Sequence, residues 1–174
     1  MRLGLNQDQQ QVPTRSASDM MPPPTAAATT KDIPYDYVAK FTLRGVRGNR
    51  VQDVINISIE GGFVAVAIGY SFIPARPTEG PTIINDRGID FTYSIVDSGS
   101  GRELQNRPIH NIAGLGEATA RRPFRPLAKP MLFMPRSTIR IEVEEISEGA
   151  IHKNAELFIV LHGYKVLGYG MGMP

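Results

Sequence analysis

The sequence predicts an all-β protein, an antiparallel β-sandwich of jelly-roll or immunoglobulin-like layout with an extended N-terminal arm. Two strand patterns joined by a polar turn region carry this prediction. Ile139, Ile141 and Val143 alternate with charged residues, which is the two-residue period of a strand with one buried face. Residues 157–160 are continuously apolar, as expected of a strand that is central or covered on both sides. A half-exposed strand followed by a buried one is typical of an antiparallel sheet packed on a second layer.

Composition narrows the possible functions. The chain has 174 residues, no cysteine and a formal net charge of only +2. Disulfides, thiolate catalysis and cysteine-ligated metals are therefore excluded, and the charge offers no broad footprint for nucleic acid. No apolar run approaches the roughly 20 residues of a membrane helix, and the first residues lack the apolar core of a signal peptide. We expect a soluble protein with no cofactor and with neither nucleic acid nor membrane as a partner.

Residues 1–33 differ from the rest of the chain. They contain a glutamine run, three consecutive prolines and an Ala/Thr tract, but few large apolar side chains and no periodicity. Such a segment buries too little surface to offset its ordering entropy when it is alone. A proline run favours an extended, polyproline-like backbone that can span distance. We predict an assembly arm held by neighbouring subunits, with contacts at Pro22, Pro23 and Pro24.

The domain itself is predicted over residues 34–167. Strand patterns cover residues 34–43, 51–60, 63–72 and 89–96, separated by a turn at 44–50, a break at Gly61-Gly62 and a long loop at 73–88. Ile89, Phe91, Tyr93 and Ile95 are expected to point inward. In the strand at 63–72, Ala65, Ala67 and Gly69 alternate with larger residues, which predicts a thin face that another layer or chain can approach closely.

The later part of the domain is predicted to be less regular. Residues 97–101 read as a hairpin turn and 102–105 as the returning strand. Residues 106–130 carry several prolines, glycines and basic residues, and we expect an irregular excursion there. Residues 168–174 form a Gly/Met-rich C-terminal tail that could pack on a neighbour. No segment predicts a helix of substantial length.

The sequence indicates no catalytic, cofactor-binding or metal site. His110, His152 and His162 fall in a loop, a turn and a buried strand, so they are not expected to converge on a metal. Ser94, Asp97 and His162 can be written as a triad, but no nucleophile-elbow pattern accompanies them. Nor do the acidic residues before residue 149 suggest a glycosidase pair, because Glu142 and Glu144 project together from an exposed strand face.

One loop motif suggests a protein contact. Arg121, Arg122 and Arg125 surround Phe124 in a proline-stiffened stretch, and guanidinium groups bind carboxylates or phosphates in a bidentate manner. Because the net charge is small, a protein partner is favoured over nucleic acid. The complementary surface would be the acidic strand bearing Glu142 and Glu144 on another copy. Such a contact between unlike surfaces, repeated, closes a ring or builds a lattice.

Three stretches resemble small β-sandwich structural proteins of tailed bacteriophage virions: RPFRPL at 122–127, FMPRSTIRIEVEE at 133–145 and LFIVLHGYK at 157–165. The resemblance covers about residues 35–167. It implies a non-enzymatic subunit that contributes to a capsid as decoration, to a head–tail connector or collar, or to a fibre anchor. It also implies a homo-oligomer that contacts other virion proteins and is made in the bacterial host cytoplasm.

The sequence leaves two other functions open. A carbohydrate- or surface-binding module of a fibre would need exposed aromatic side chains in its loops, and the candidates are Tyr70, Phe72 and Phe124. A small hydrolase on the same scaffold would need polar groups that converge in one pocket. The sequence shows no such set.

Overall fold

The computed structural model of the protein describes residues 29–75, 88–117 and 123–169. Strands account for most of these residues, and α1 (Asn111–Gly114) is a single helical turn. The strands are β1 (Thr29–Thr42), β2 (Arg50–Asn56), β3 (Gly61–Ile73), β4 (Phe91–Asp97), β5 (Arg102–Glu103), β6 (Ile109–His110), β7 (Gly116–Glu117), β8 (Arg125–Phe133), β9 (Thr138–Glu145) and β10 (Glu156–Tyr169).

The strands form two sheets. Sheet A has the order β1-β10-β3, with β7 and β8 both paired to β3; sheet B has the order β2-β9-β4, with β5 and β6 both paired to β4. Every pairing is antiparallel except the short β3–β7 contact. The pairs nest within one another: β1 with β10, β2 with β9, β3 with β8, and β4 with β5. Nested pairs divided between two packed sheets make a jelly roll. The predicted sandwich is therefore confirmed, in its jelly-roll form.

The core lies between the inner faces of the two sheets. The predicted inward residues of β9 are confirmed, since Ile139, Ile141 and Val143 are buried while Arg140 and Glu142 are exposed. The same holds for the segment at 89–96, whose four predicted inward residues are all buried. Large side chains from both layers fill the space between them, namely Phe41, Phe63, Phe91, Phe133, Leu157 and Ile159. Each such side chain stabilises the fold by about 1.5–3 kcal/mol.

Several predicted boundaries move. Strand β1 begins at Thr29, inside the predicted arm, and β10 continues to Tyr169. Strand β2 ends at Asn56, so the predicted strand at 51–60 is too long. The predicted break at Gly61-Gly62 is wrong, because both residues begin β3. There the backbone of β10 approaches so closely that a Cβ on Gly61 would overlap the carbonyl of Val166. These glycines permit close pairing of the strands and do not interrupt it.

The segment at 106–130 is also more regular than predicted. It contains β6, α1, β7 and the first residues of β8. Strand β8 pairs with β3 at Arg125 and Pro126 and again at residues 131–133, with an irregular stretch between. Prolines are tolerated in an edge strand because their missing N–H leaves no gap in an inner ladder. Because this stretch contains several prolines, the sequence predicted an irregular segment where the structure has a strand.

A β-bulge in β3 changes which residues face the core. Ala65 pairs with Gly163 and Ala67 pairs with His162, so Val66 is an extra residue in this strand. Beyond the bulge the inward positions are Ile68 and Tyr70, which join the core cluster. The simple alternation predicted for 63–72 is therefore wrong after Ala65, since a period of two cannot anticipate an inserted residue.

A buried carboxylate holds one end of the sandwich together. Glu145 is 1% exposed and accepts hydrogen bonds from the backbone N–H groups of Arg44 and Gly45 and from the amide of Asn49, at 2.9, 2.8 and 2.6 Å. The predicted turn at 44–50 is confirmed, and its glycines Gly45 and Gly48 have φ values of 68° and 81°. Only glycine adopts such values readily. The turn therefore wraps around the end of β9.

Candidate assembly surfaces

The outer face of sheet A is rich in apolar side chains. In the register of the sheet, Val38 lies beside Val160, and Pro34, Tyr164, Val64 and Leu132 form a row across four strands. Val38 is 49% exposed and Leu132 is 59% exposed. Exposed apolar side chains that gather on one face in this way suggest an interaction site. We call this surface the apolar face; it comprises Pro34, Val38, Val64, Leu132, Phe158, Val160 and Tyr164.

The charged groups on the apolar face are paired with one another. The Lys40 ammonium lies 2.6 Å from the Glu156 carboxylate, and Nδ1 of His162 lies 2.7 Å from the carboxylate of Asp36. Both pairs join β1 to β10. Lys40 also lies 5.5 Å from the centre of the Phe158 ring. Because the carboxylates of Glu156 and Asp36 both have partners, the part of the face around Val38 can be covered by another apolar surface without leaving these two carboxylates unpaired.

A short segment of the same chain already covers part of this face. The ring of Phe124 stacks on His162 with the two centres 4.8 Å apart and the planes inclined by 27°. Gly69 lies directly beneath, and a Cβ there would overlap the carbonyl oxygen of Pro123. Ala67 points to the same side and is only 7% exposed, although it is not one of the residues packed between the two sheets. The thin face predicted for β3 therefore exists at Ala67 and Gly69, and residues of its own chain occupy it.

The outer face of sheet B has the opposite character. Arg50 pairs with Glu144 at 2.8 Å, and Arg140 pairs with Glu142 at 3.2 Å. Val54, on β2, is an exposed apolar residue of this face at 45%. We call this surface the charged face; its shallow depression is lined by Arg50, Thr92, Ser94, Pro108, Glu142 and Glu144.

The predicted contact residues are distributed over both faces. Glu142 and Glu144 lie on the charged face, where arginines of their own chain already neutralise them. Phe124 packs over the apolar face, on His162, and the guanidinium of Arg125 contacts the backbone oxygen of Ala113. Pro22, Pro23, Pro24, Arg121 and Arg122 fall outside the described residues. The contact between an arginine loop and an acidic strand of two copies remains a prediction.

The residues considered for catalysis or metal binding do not converge. His162 is on the outer face of sheet A and Ser94 is on the outer face of sheet B, so the imagined triad does not form. His152 is 5% exposed, and burial lowers the pKa of its imidazole, while Glu145 and Asp90 act in the opposite direction. Within residues 29–75, 88–117 and 123–169, no three His, Asp or Glu side chains are grouped to hold a metal ion. In the same ranges, no helix has the length and apolarity to cross a membrane.

The three aromatic residues considered for carbohydrate binding are engaged elsewhere. Tyr70 is 6% exposed, meets Phe91 edge-on at 5.3 Å, and accepts a hydrogen bond from the amide of Asn111. Phe72 packs against the core beside His152, with ring centres 5.5 Å apart. The third, Phe124, stacks on His162. Tyr70 therefore cannot serve as a surface platform, because the bulge turns it into the core.

Comparison with known proteins gives distant similarities only. No protein-family model matches the sequence, and no curated protein matches it. Among solved structures, the chain is similar to the infectious bursal disease virus VP2 subviral particle at 12% identity and a TM-score of 0.31, covering 92% of this chain and 42% of that one. It is also similar to a chain of Desmodium yellow mottle tymovirus at 12% identity and a TM-score of 0.28, covering 100% and 98%. This chain thus spans less than half of the first. Both scores are low, and the jelly-roll assignment rests on strand order alone.

Proposed function

We propose that this chain is a non-enzymatic structural subunit of a virus particle. The apolar face is the observation that carries the proposal. Jelly rolls serve viral capsids, lectins and small-molecule-binding enzymes alike, so the fold by itself does not select a function. An extended apolar surface with internally paired charges suits a permanent contact between proteins better than it suits a polar ligand.

More specifically, we propose that the particle is that of a bacteriophage. Within the described residues, the stretches that resemble tailed-phage structural proteins fall on the two ends of β8, on β9 and on β10, which are strands of both sheets. The partners would then be further copies of this chain and other virion proteins, in a capsid, a head–tail connector or a fibre anchor. The chain would be made in the bacterial host cytoplasm and would reside in the virion.

Residues 1–28 precede β1 and would act as the assembly arm. Linking a weak extended contact to a folded body converts the second contact into an intramolecular event, which raises overall affinity. The arm pays its ordering entropy only on docking. Its loss should therefore weaken assembly more than it weakens the fold.

The fibre carbohydrate-binding alternative gains no support from the three aromatic residues on which it depended. Two of them pack within their own chain, against the core and against His162, and the third is in the core. A lectin of this kind would present its rings to solvent.

The test is the mass of the protein in solution by light scattering, over a range of concentrations, for the full chain and for a version that starts at Thr29. We expect an oligomer of the full chain that persists in about 1 M salt, because apolar burial is not screened as charge pairs are. Removal of the arm should reduce the oligomer while leaving the thermal unfolding temperature of the domain nearly unchanged. A monomer at every concentration would contradict self-assembly, and equal losses of assembly and of fold stability would contradict the separate role of the arm.

A further inference from the structure

The open edge of sheet A is poorly suited to adding a strand. Among the described residues, β1 pairs with β10 alone, so its other side is an edge. The N–H of Lys40 points to that side, because it donates to the Asp53 carboxylate at 2.9 Å. Alternate residues of a strand share this direction, so Pro34 lies where an N–H would face the edge and has none to offer. An extended partner therefore finds a better surface on the face of the sheet than along its edge.

The Phe124 segment shows what kind of partner the apolar face accepts. Pro123 and Pro126 flank a short stretch that lays one large ring on the sheet, above Gly69. Proline stiffens such a segment, so little conformational entropy is lost when it is held in place. On either side of this ring the apolar face continues, with Val38, Val160 and Phe158 toward one end and Tyr164 with Leu132 toward the other.

A second stretch of the chain has the same character. Residues 20–24 read Met-Met-Pro-Pro-Pro and lie shortly before Thr29. A polyproline segment is already extended and has no internal hydrogen bonds to lose. Methionine side chains are flexible and polarizable, and they fit irregular apolar surfaces well. Residues 20–24 are therefore a chemically suitable occupant for the uncovered part of the apolar face.

The connection to β1 favours a second copy over the same chain. Residues 25–31 read TAAATTK and contain no Gly, Pro, Asn or Asp. These are the residue types that reverse a chain tightly, and a reversal at Thr29 would be needed to bring residues 20–24 back over their own sheet. An extended chain spans about 3.1 Å per residue, so the stretch from Met21 to Thr29 is long enough to span about 25 Å and to reach an adjoining subunit.

We propose that residues 20–24 of one copy bind the apolar face of a second copy, against Val38, Val160 and Phe158 and beside the Phe124–His162 stack. This inference rests on the proposed function, since it requires copies of the chain to assemble. It names the surface and the segment that join them.

Cysteine cross-linking of the full chain tests this directly, because the natural sequence has no cysteine. One preparation carries Met21→Cys, and a second, tagged preparation carries Val38→Cys; the two are mixed and oxidised with copper–phenanthroline. The matched control replaces Val38→Cys with Val54→Cys, a valine of similar exposure on the outer side of sheet B, at 45% against 49%. We expect the mixed Met21–Val38 dimer to form at least about tenfold faster than the Met21–Val54 dimer.

Equal rates for the two mixtures would overturn the inference. So would a chain carrying both Met21→Cys and Val38→Cys that closes on itself on dilution faster than it links to others, since the segment would then lie on its own sheet. The mass in solution separates this failure from failure of the proposed function. A protein that assembles without selective cross-linking at Val38 refutes only the docking site, whereas a protein that never assembles refutes both.

Discussion

The outer faces of the two sheets are built on the same jelly roll but differ in what they offer to a partner. On sheet A, apolar side chains lie in register across several strands, and the charges among them pair with one another. On sheet B, Arg50 of β2 lies opposite Glu144 of β9 and pairs with it, and Arg140 pairs with Glu142 two residues further along β9. An antiparallel sheet needs only one buried face, and sheet B follows that rule. The departure of sheet A from this rule is the reason for proposing its outer face as the contact surface.

A carboxylate placed on each face in turn should distinguish the two faces most clearly. Val38→Asp would place a new carboxylate within the proposed contact, whereas Val54→Asp would add one more charge to a solvated surface. We expect Val38→Asp to weaken assembly by more than about 100-fold, or about 2.7 kcal/mol, and Val54→Asp to leave it within about threefold. Sedimentation over a concentration series measures both. Similar losses in the two variants, or a larger loss with Val54→Asp, would reverse the assignment of the faces.

Two adjacent carboxylates of β9, the buried Glu145 and the exposed Glu144, should contribute very differently to the stability of the fold. Glu145→Gln puts an amide where three donors converge, and hydrogen bonds to a charged group contribute about 1.5–3 kcal/mol each. We expect a loss of about 2–3 kcal/mol in the free energy of unfolding. Glu144→Gln removes only an exposed pair with Arg50 and should cost under about 1 kcal/mol. Urea unfolding of both variants measures the difference, and equal values would show that the charged face contributes to folding.

The segment at residues 123–125 can pack on the apolar face only because residue 69 is glycine. In Gly69→Ala the new methyl group would overlap the Pro123 carbonyl and press on the Phe124 ring, so the segment must shift. We expect a destabilisation of about 1–3 kcal/mol, typical of overpacking. Gly168→Ala is the control, because no described atom lies within 4 Å of a Cβ placed there. Thermal unfolding that is unaltered in Gly69→Ala would mean that residues 123–125 are not held against the sheet.

Acid should produce the smallest effect, through the buried imidazole of His152. Burial lowers the pKa of His152 below its ordinary value, so the folded chain favours the neutral imidazole. Its contribution to stability is present above the ordinary pKa near 6.5 and is lost as the pH falls through the lowered value in the folded state. Urea unfolding between about pH 7 and pH 5 should show this fall, and His152→Phe, which keeps a ring beside Phe72, should reduce it. Equal pH dependence in both proteins would assign the acid effect to other groups.

Much of the body could be predicted from the sequence because side-chain period reports which face is buried. The inward residues of β4 and β9 and the glycine turn at 44–50 follow from local pattern alone. The apolar face was harder to predict from the sequence. The continuous apolar run at 157–160 was interpreted as a strand central to its sheet or covered on both sides; β10 is indeed central, yet the outer residues Phe158 and Val160 are only partly buried. The sequence of this run does not show what covers the outer face of β10.

Local pattern was enough to predict the fold class and the inward side chains of β4 and β9, whereas the arm at residues 1–33 stays a prediction. The contact of Asp36 with His162, 126 residues away, could be known only from the fold, because it depends on the pairing of β1 with β10. The same is true of the bulge at Val66, of the inward position of Tyr70 that follows from it, and of the course of β8 through a proline-rich stretch. The physical reason is that a strand's period specifies its two sides, whereas strand order and register depend on contacts between residues far apart in the chain.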